Sequence, residues 1–409
     1  MSKILTFELN KMSTILKKPS KLHYELIQEL YYRKSASCNE LSAATNKSIP
    51  LVTKVVNELI EMGEVEEQGY APSSGGRRPL MYTLIKDKLF IVVVAMDQLT
   101  TRIGIVNLHN DYHLPIAVVE LKLQDNKTAL NELTQHLKDY IEKSEIPTHK
   151  FIGIGLGMPG FINVSKGINY TYLEANNKTL KQHLLDETGI TAFIDNDSSL
   201  IALAELKFGA AKSSIDAMVI NMGWGIGLGM IINGSLFRGH NGFAGEFSHI
   251  PISEESILCS CGKQGCLEAV ASLLAVAEKA IIGIKEGRIS SLSYIETLNS
   301  KVEVGNAILK EANKGDQYAI ELIADAAYKI GRGLSILIHI MNPKVIVLSG
   351  RSVKVAKLML APIQQALNKY CIPRLFADTE IKVSKLGFDA ELIGASILVM
   401  QNFGKEKIK

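Results

Sequence analysis

Three cysteines, Cys259, Cys261 and Cys266, crowd into one short stretch that begins ten residues after His249. Three thiolates and an imidazole make a tetrahedral donor set suited to structural zinc. The spacing does not suit a secreted disulfide framework, and the interleaved glycines and nearby histidine favour a metal over free thiols in a loop. Glu246 lies three residues before His249, one turn away if that stretch is helical, and carboxylate beside imidazole suits recognition of a polyol. Glu268 follows the last cysteine. Further upstream, Asn196 and Asp197 sit where a strand gives way to a helix. An aspartate there can take a proton from a sugar hydroxyl or accept its hydrogen bond, although on its own the pattern favours a helix N-cap.

These residues need a scaffold. Beyond residue 88, strand-like runs (LFIVVVAM, RIGIVNL, FIGIGLGM, AMVINM, LGMIING, KVIVLSG) alternate with helical ones, which predicts an α/β protein. Two α/β lobes with a cleft between them account for that length, and ligands in such folds bind at the carboxyl ends of strands. Asn196 and Asp197 fall at such an end. Gly239, Gly242 and Gly245 in GHNGFAGEFSH let backbone approach a ligand closely. The loop GMPGFINVSKGINYTYLEANN adds Asn169, Asn176 and Asn177, which serve either ligand selection or ordinary turns.

The N-terminal segment has a different pattern. KLHYELIQELYYRK places Leu22, Leu26, Ile27 and Leu30 on one helical face and breaks at Ser35 to Ser37. CNELSAAT predicts a short helix with Leu41 and Ala44 inward. Asn46-Lys47-Ser48 then turns the chain into a third helix with Leu51, Val52, Val55, Leu59 and Ile60 inward. That leaves Ser48, Pro50, Thr53, Lys54 and Asn57 near its outer face, positioned for a DNA major groove. Two strand-like pieces follow around a Gly-rich tip with Arg77 and Arg78, as in a wing whose arginines meet phosphates or a narrow minor groove. A protein-interaction module is the plainer alternative for three helices alone.

Charge agrees modestly. Residues 1–88 hold 13 Lys and Arg against 10 Asp and Glu, and the remainder holds 32 of each, so the net +3 is confined to the N-terminal segment. No apolar run approaches the roughly 20 residues of a membrane span, and the N-terminus lacks a signal-peptide pattern. A cytoplasmic protein with no membrane partner is expected.

GFAGEFSH and CSCGKQGCLE resemble the signature of the ROK family (repressors, open reading frames and kinases), and the resemblance covers nearly the whole chain. SGGRRP and TKVVNELIEMG look like its repressor branch, which includes xylose and N-acetylglucosamine repressors. The resemblance implies a winged helix-turn-helix over 1–86 and an actin-like, hexokinase-type two-lobe body. Its first lobe would span 87–196, completed by a C-terminal helix at about 388–409, and its second 197–387. It also implies sugar-hydroxyl contacts at Asn196, Asp197, Glu246, His249 and Glu268, and structural zinc on His249, Cys259, Cys261 and Cys266. His249 would then serve both metal and sugar.

The departures are informative. Family kinases carry Asp-x-Gly-Gly-Thr after the first strand, where this chain reads Asp97-Gln98-Leu99-Thr100-Thr101. Side chains replace the glycines whose backbone amides close on phosphate oxygens. The second phosphate loop, Gly-Thr-Gly in kinases, is Gly223-Trp224-Gly225, and the indole is expected to stand where nucleotide phosphate would lie. ATP and Mg are therefore not expected, and Asp197 is retained as a vestigial base position without a catalytic role. The expectation is a repressor of carbohydrate genes that binds double-stranded operator DNA as a homodimer or tetramer and responds to a monosaccharide or sugar phosphate. An ATP-dependent sugar kinase with an appended DNA-binding domain is the alternative, and a protein partner as trigger is a third.

Overall fold

The computed structural model describes residues 19–72, 78–175 and 177–405, which form two compact units. One comprises the described residues of 1–89 and 400–409 together with 107–111. The other comprises 90–106 and 112–399.

In the first unit, α1 (Lys21–Arg33) buries Leu22, Leu26, Ile27 and Leu30 as expected, together with Tyr24 and Tyr31. Ser37 caps α2 (Cys38–Thr45): Glu40 N–H donates to Ser37 Oγ at 3.3 Å, and Ser37 N–H donates back to Glu40 Oε2 at 2.8 Å. Such reciprocal caps stabilise a helix start by about 1 kcal/mol. Asn46, in the left-handed region at φ 54°, ends α2, and Ser48 and Pro50 open α3 (Ile49–Glu61).

The buried face of α3 is Val52, Val55, Val56 and Leu59, the i, i+3, i+4, i+7 stripe of an amphipathic helix. Here three expectations are corrected. Leu51, predicted inside, lies one residue and so about 100° round from Val52, and is 42% exposed. Ile60 is only half-buried, with Val56 in its place, and Ala44 is exposed because α2 is short and commits only Leu41 to the core.

Strands β1 (Ala36–Ser37), β2 (Val65–Tyr70) and β3 (Leu80–Leu84) form an antiparallel sheet in the order β1-β3-β2, with a bulge between Glu67 and Gly69. Strands β2 and β3 are the two strand-like pieces expected on either side of the wing, whose tip joins them. Most of its tip, 73–77, lies outside the described residues. Two distant pieces complete this unit. Asn110 Oδ1 accepts from Tyr31 Oη at 2.5 Å, Gln28 Nε2 donates to the Met400 carbonyl at 2.7 Å, and Phe403 packs edge-on against Tyr24 at 5.2 Å.

The second unit carries two five-stranded sheets of the same plan. The first contains β4 (Phe90–Met96), β5 (Thr100–Asn107), β6 (Ala117–Glu120), β7 (Phe151–Met158) and β10 (Ala192–Asn196) in the order β6-β5-β4-β7-β10. The second contains β11 (Ala217–Met222), β12 (Ile226–Ile232), β13 (Ser235–Phe237), β14 (Val345–Ser349) and β15 (Glu380–Val383) in the order β13-β12-β11-β14-β15. In each, the central strand is parallel to the strands following one edge, and an antiparallel pairing closes the other. This duplication is the expected two-lobed body. A two-stranded ribbon, β8 (Ile162–Asn163) with β9 (Ile168–Asn169), projects after β7.

Helix α4 (Ala129–Lys143) and α5 (Leu180–Thr188) bury their apolar faces in the first core. The second core is built by α8 (Leu273–Lys285), α9 (Lys301–Asn313), α10 (Gln317–Met341) and α11 (Ala356–Tyr370). Between the sheets, α6 (Asp197–Lys207) follows β10, while the short α7 (Leu267–Ala271) follows the cysteine cluster and buries Leu267, Val270 and Ala271 in the second core. Helix α13 (Ala390–Asn402), preceded by the short α12 (Pro373–Phe376), lies so close to β7 that a Cβ on Gly155 would stand 2.1 Å from the Ala395 carbonyl oxygen. Among the described residues no helix is long and apolar enough to cross a membrane.

Candidate functional site

The carboxyl ends of β4, β7 and β10 in one sheet, and of β11 and β14 in the other, open onto one cleft of about 1510 Å³. All five residues expected at sugar hydroxyls line it: Asn196, Asp197, Glu246, His249 and Glu268.

Their positions are fixed locally. Asn196 is the N-cap of α6, its amide oxygen accepting from Ser198 N–H at 3.0 Å and Ser199 N–H at 3.4 Å, while Nδ2 donates to the Gly160 carbonyl at 3.4 Å. Capping thus falls to Asn196, which leaves the Asp197 carboxylate to the cleft. Asp197 Oδ1 accepts from Ser198 N–H at 2.7 Å, and Oδ2 accepts from Asn221 Nδ2 at 3.1 Å. Burial pushes the Asp197 carboxyl up to about 7, against those hydrogen bonds and with help from Asp97 and Glu268. Burial also raises Glu246 and Glu268, and the His249 imidazole opposes both shifts. Glu268 Oε2 accepts from Ile226 N–H at 3.3 Å, in a space open only because residue 225 is glycine, whose Cβ would stand 2.6 Å away. Crowded acids of this kind divide into protonated and ionised members, giving donors and acceptors together, which a polyhydroxylated ring requires.

A single 3-10 turn, Phe247–His249, brings Glu246 and His249 together, with Oε2 and Nε2 3.7 Å apart. Phe247 and Leu267 anchor this segment in the second core, against Gly333. The other imidazole nitrogen, Nδ1, stands 3.6 Å from Cys259 Sγ, and Cys261 Sγ stands 3.6 Å from Cys266 Sγ. All four potential ligand atoms lie within 4.8 Å of one another. One histidine therefore faces the thiols with Nδ1 and the cleft with Nε2, and the donor set fits a four-coordinate metal with no open position.

At the other side of the cleft the structure departs from expectation. Trp224 does not stand in the cleft as a plug. It is 2% exposed and inserts into the second core, where a Cβ on Gly305 would stand 2.6 Å from the ring. The space beside it is taken instead by Arg351, which follows β14. Its guanidinium packs 5.0 Å from the Trp224 ring and 4.3 Å from the Phe388 ring, and Nη2 donates to Asp97 Oδ2 at 3.0 Å. Asp97 also accepts from the Leu99 and Thr100 amides at 2.9 and 2.7 Å and from Thr100 Oγ1 at 2.8 Å. The Asp97–Thr100 loop thus closes upon its own aspartate.

A second bridge joins the same two sheets: Arg238, just after β13, donates through Nη1 to Asp195 Oδ1 at 2.7 Å and pairs with Oδ2 through Nη2. Neither arginine was foreseen, and no local pattern marks them. Asn169, a candidate from its loop, uses its side chain inside the turn, accepting from Thr171 and Tyr172 N–H at 2.9 and 3.0 Å and donating to the Pro159 carbonyl at 3.1 Å. Asn177 is exposed away from the cleft lining, and Asn176 lies outside the described residues.

In the first unit, Ser48, Pro50, Lys54 and Asn57 are exposed on α3 and Thr53 is half-buried beside them. Arg78 is exposed at the end of the wing, and Arg77 lies outside the described residues.

Comparison with known proteins follows the same division. A xylose repressor from Caldicellulosiruptor bescii is 30% identical over 398 residues, covering 95% of this chain and 97% of its own. A glucokinase from Halalkalibacterium halodurans is 34% identical over 276 residues, covering 66% of this chain and 83% of its own. Among solved structures, a ROK family transcriptional regulator described as a homolog of the E. coli MLC protein matches with a TM-score of 0.74 and 23% identity, covering 93% of this chain and 96% of that one. The ROK family model itself matches residues 118–402, the span that holds Asn196, Asp197, Glu246, Glu268, the histidine-cysteine cluster and the Arg238–Asp195 bridge. On those residues, this chain belongs to the ROK family.

Proposed function

We propose that the chain is a sugar-responsive DNA-binding transcriptional regulator, a repressor of carbohydrate uptake and catabolism genes, acting in the cytoplasm. The observation that carries this reading is α3, which buries one stripe completely and leaves Pro50, Lys54 and Asn57 exposed on the opposite face next to its exposed cap Ser48, in a chain that also holds a large cleft lined by carboxylates and a histidine. Such a face reads a major groove, and Arg77 and Arg78 of the wing add backbone contacts. The near full-length similarity to a xylose repressor supports the same conclusion. Reading a palindromic operator with two recognition helices requires a two-fold symmetric homodimer, or a tetramer built from it.

The effector is a monosaccharide or sugar phosphate held by Asn196, Asp197, Glu246, His249 and Glu268. Structural zinc on His249, Cys259, Cys261 and Cys266 would fix the imidazole so that Nε2 presents to a hydroxyl. For the sugar to matter it must bind one lobe arrangement better than the other, and a coupling of about 1–3 kcal/mol gives a several-fold to hundred-fold change in operator affinity.

Phosphoryl transfer is not part of this reading. Family kinases use the region of Asp97 and residues 223–225 for nucleotide phosphates, and here Arg351 and Asp97 satisfy one another across it. One feature favours the alternative of an active sugar kinase: Asp197, pushed up to about 7, has the basicity of a general base. Operator-fragment binding at fixed salt, with and without sugars and sugar phosphates, tests the proposal. Specific binding altered by one sugar supports it. Sugar-dependent ATP consumption without sequence-specific binding refutes it in favour of the kinase.

A further inference from the structure

Three aromatic rings meet at the rim of the cleft with no core to bury them. Phe161 is 41% exposed and Tyr170 55% exposed, and Phe243 is half-buried between them. Phe243 lies edge-on to Phe161 at 5.6 Å and to Tyr170 at 6.3 Å. All three line the same cavity as the acidic set.

Hydrogen bonds hold the backbone that carries two of them. Phe161 N–H donates to Thr171 Oγ1 at 3.0 Å, and Tyr170 N–H donates to the Phe161 carbonyl at 2.8 Å, so the base of the β8–β9 ribbon fixes both. The Gly160 carbonyl immediately before Phe161 takes the Asn196 amide, which ties this platform to the sugar-hydroxyl set. From the other lobe, Phe243 precedes Glu246 by three residues on the same glycine-rich loop.

Aromatic surface left in water costs free energy, and clustered at the mouth of a polar cleft it marks a ligand contact. The complementary surface is the C–H face of a pyranose or furanose ring, which is apolar while its rim is polar. One ring held by the five polar residues fills the floor. The cleft, at about 1510 Å³, exceeds the roughly 300–1,000 Å³ of small-molecule pockets and has room for another.

We propose that Phe161, Tyr170 and Phe243 form a second-ring subsite, so that the monosaccharide unit held on the acidic floor is the inner ring of a disaccharide effector whose outer ring stacks on these aromatics. This rests on the reading of the cleft as a sugar site. The test is calorimetric titration of the purified full-length protein with glucose, xylose and N-acetylglucosamine, and in parallel with cellobiose, maltose, xylobiose and chitobiose. One disaccharide is expected to bind at least about tenfold more tightly than its monosaccharide, the scale of one aromatic contact. Phe243→Ala should reduce that disaccharide's affinity by about tenfold while reducing the monosaccharide's far less. Tyr170→Ala, at a more exposed position, gives the same readout without risk to folding.

A monosaccharide that binds as tightly as its disaccharides overturns the subsite and leaves the sugar site standing. So does an equal loss for both ligands in Phe243→Ala and Tyr170→Ala, which would make the rings a simple closure contact. Failure of every sugar to bind removes the sugar site and the subsite together.

Discussion

Replacing Arg351 by Met removes a charge from the space between the lobes while keeping much of its volume. The ion pair with Asp97 is 3.0 Å long, with the arginine and aspartate side chains 9% and 23% exposed. At an effective dielectric of about 20 the gross attraction at that separation is about 5 kcal/mol, most of which offsets the loss of hydration by both groups. Removing one partner of a buried pair costs about 3–5 kcal/mol when the other is left bare. Here Asp97 keeps three hydrogen bonds, from the Leu99 and Thr100 amides and the Thr100 hydroxyl, which lowers the cost. Contacts of the guanidinium with Trp224 and Phe388 restore about 0.5–1 kcal/mol each. A net destabilisation of about 2–3 kcal/mol is expected. Asp97→Asn should cost a similar amount, and the double variant should fall short of the sum by about 1.5–2 kcal/mol. Denaturant unfolding followed by the fluorescence of Trp224, the only tryptophan in the chain and a neighbour of the pair, measures all four proteins. Strictly additive single variants would refute the claim that the two residues act as one interlobe bridge.

Lys54→Ala and Arg78→Ala should weaken operator binding, and a phosphate contact at either position should reduce the salt-dependence slope by about 0.9; unchanged affinity in both would remove α3 and the wing from the DNA interface. Metal analysis should find one zinc per chain, lost in Cys266→Ser, and strong chelation should lower the melting temperature; a metal-free wild type with the same melting temperature would exclude a structural ion. Asp197 has a folded-state pKa raised from 3.8 to about 7, so the stability it contributes is full below pH 4 and is lost as pH rises through 7. Asp197→Asn, which imitates the protonated acid, should flatten the pH dependence of melting between pH 4 and 7, and an unchanged profile would contradict the shift. Gly155→Ala places a Cβ 2.1 Å from the Ala395 carbonyl oxygen and should cost about 1–3 kcal/mol through displacement of α13, read by thermal unfolding.

The parts of this molecule legible in its sequence are those written locally. The thiol cluster and His249 are ten to seventeen residues apart, the strand-to-helix turn at Asn196 and Asp197 is contiguous, and the helical stripes of α1 and α3 repeat within a dozen residues. What stayed hidden depends on distant partners. Asp97 and Arg351 are 254 positions apart and Asp195 and Arg238 are 43 apart, so neither pair leaves a periodicity or spacing to read. Trp224 misled for a related reason: its loop position pointed to the cleft, but a hole over Gly305, far along the chain, accepts the ring. Leu51 failed because hydrophobicity alone does not say which of two adjacent apolar residues faces inward. The aromatic rim is scattered over Phe161, Tyr170 and Phe243, and only the ribbon geometry assembles it.

The first unit takes its residues from three places, with the turn at 107–111 held by Tyr31 and residues 400–405 packed on Tyr24 and Gln28. This has a consequence for biosynthesis. At about 5–20 residues per second, the ribosome delivers residues 400–405 some 20–80 s after α1 has been made. Until then Tyr24 has no Phe403 to pack against, and the Gln28 amide has no Met400 carbonyl. The segment that would read DNA is translated well before the residues that complete it, so a chain truncated between the two carries an unfinished reader.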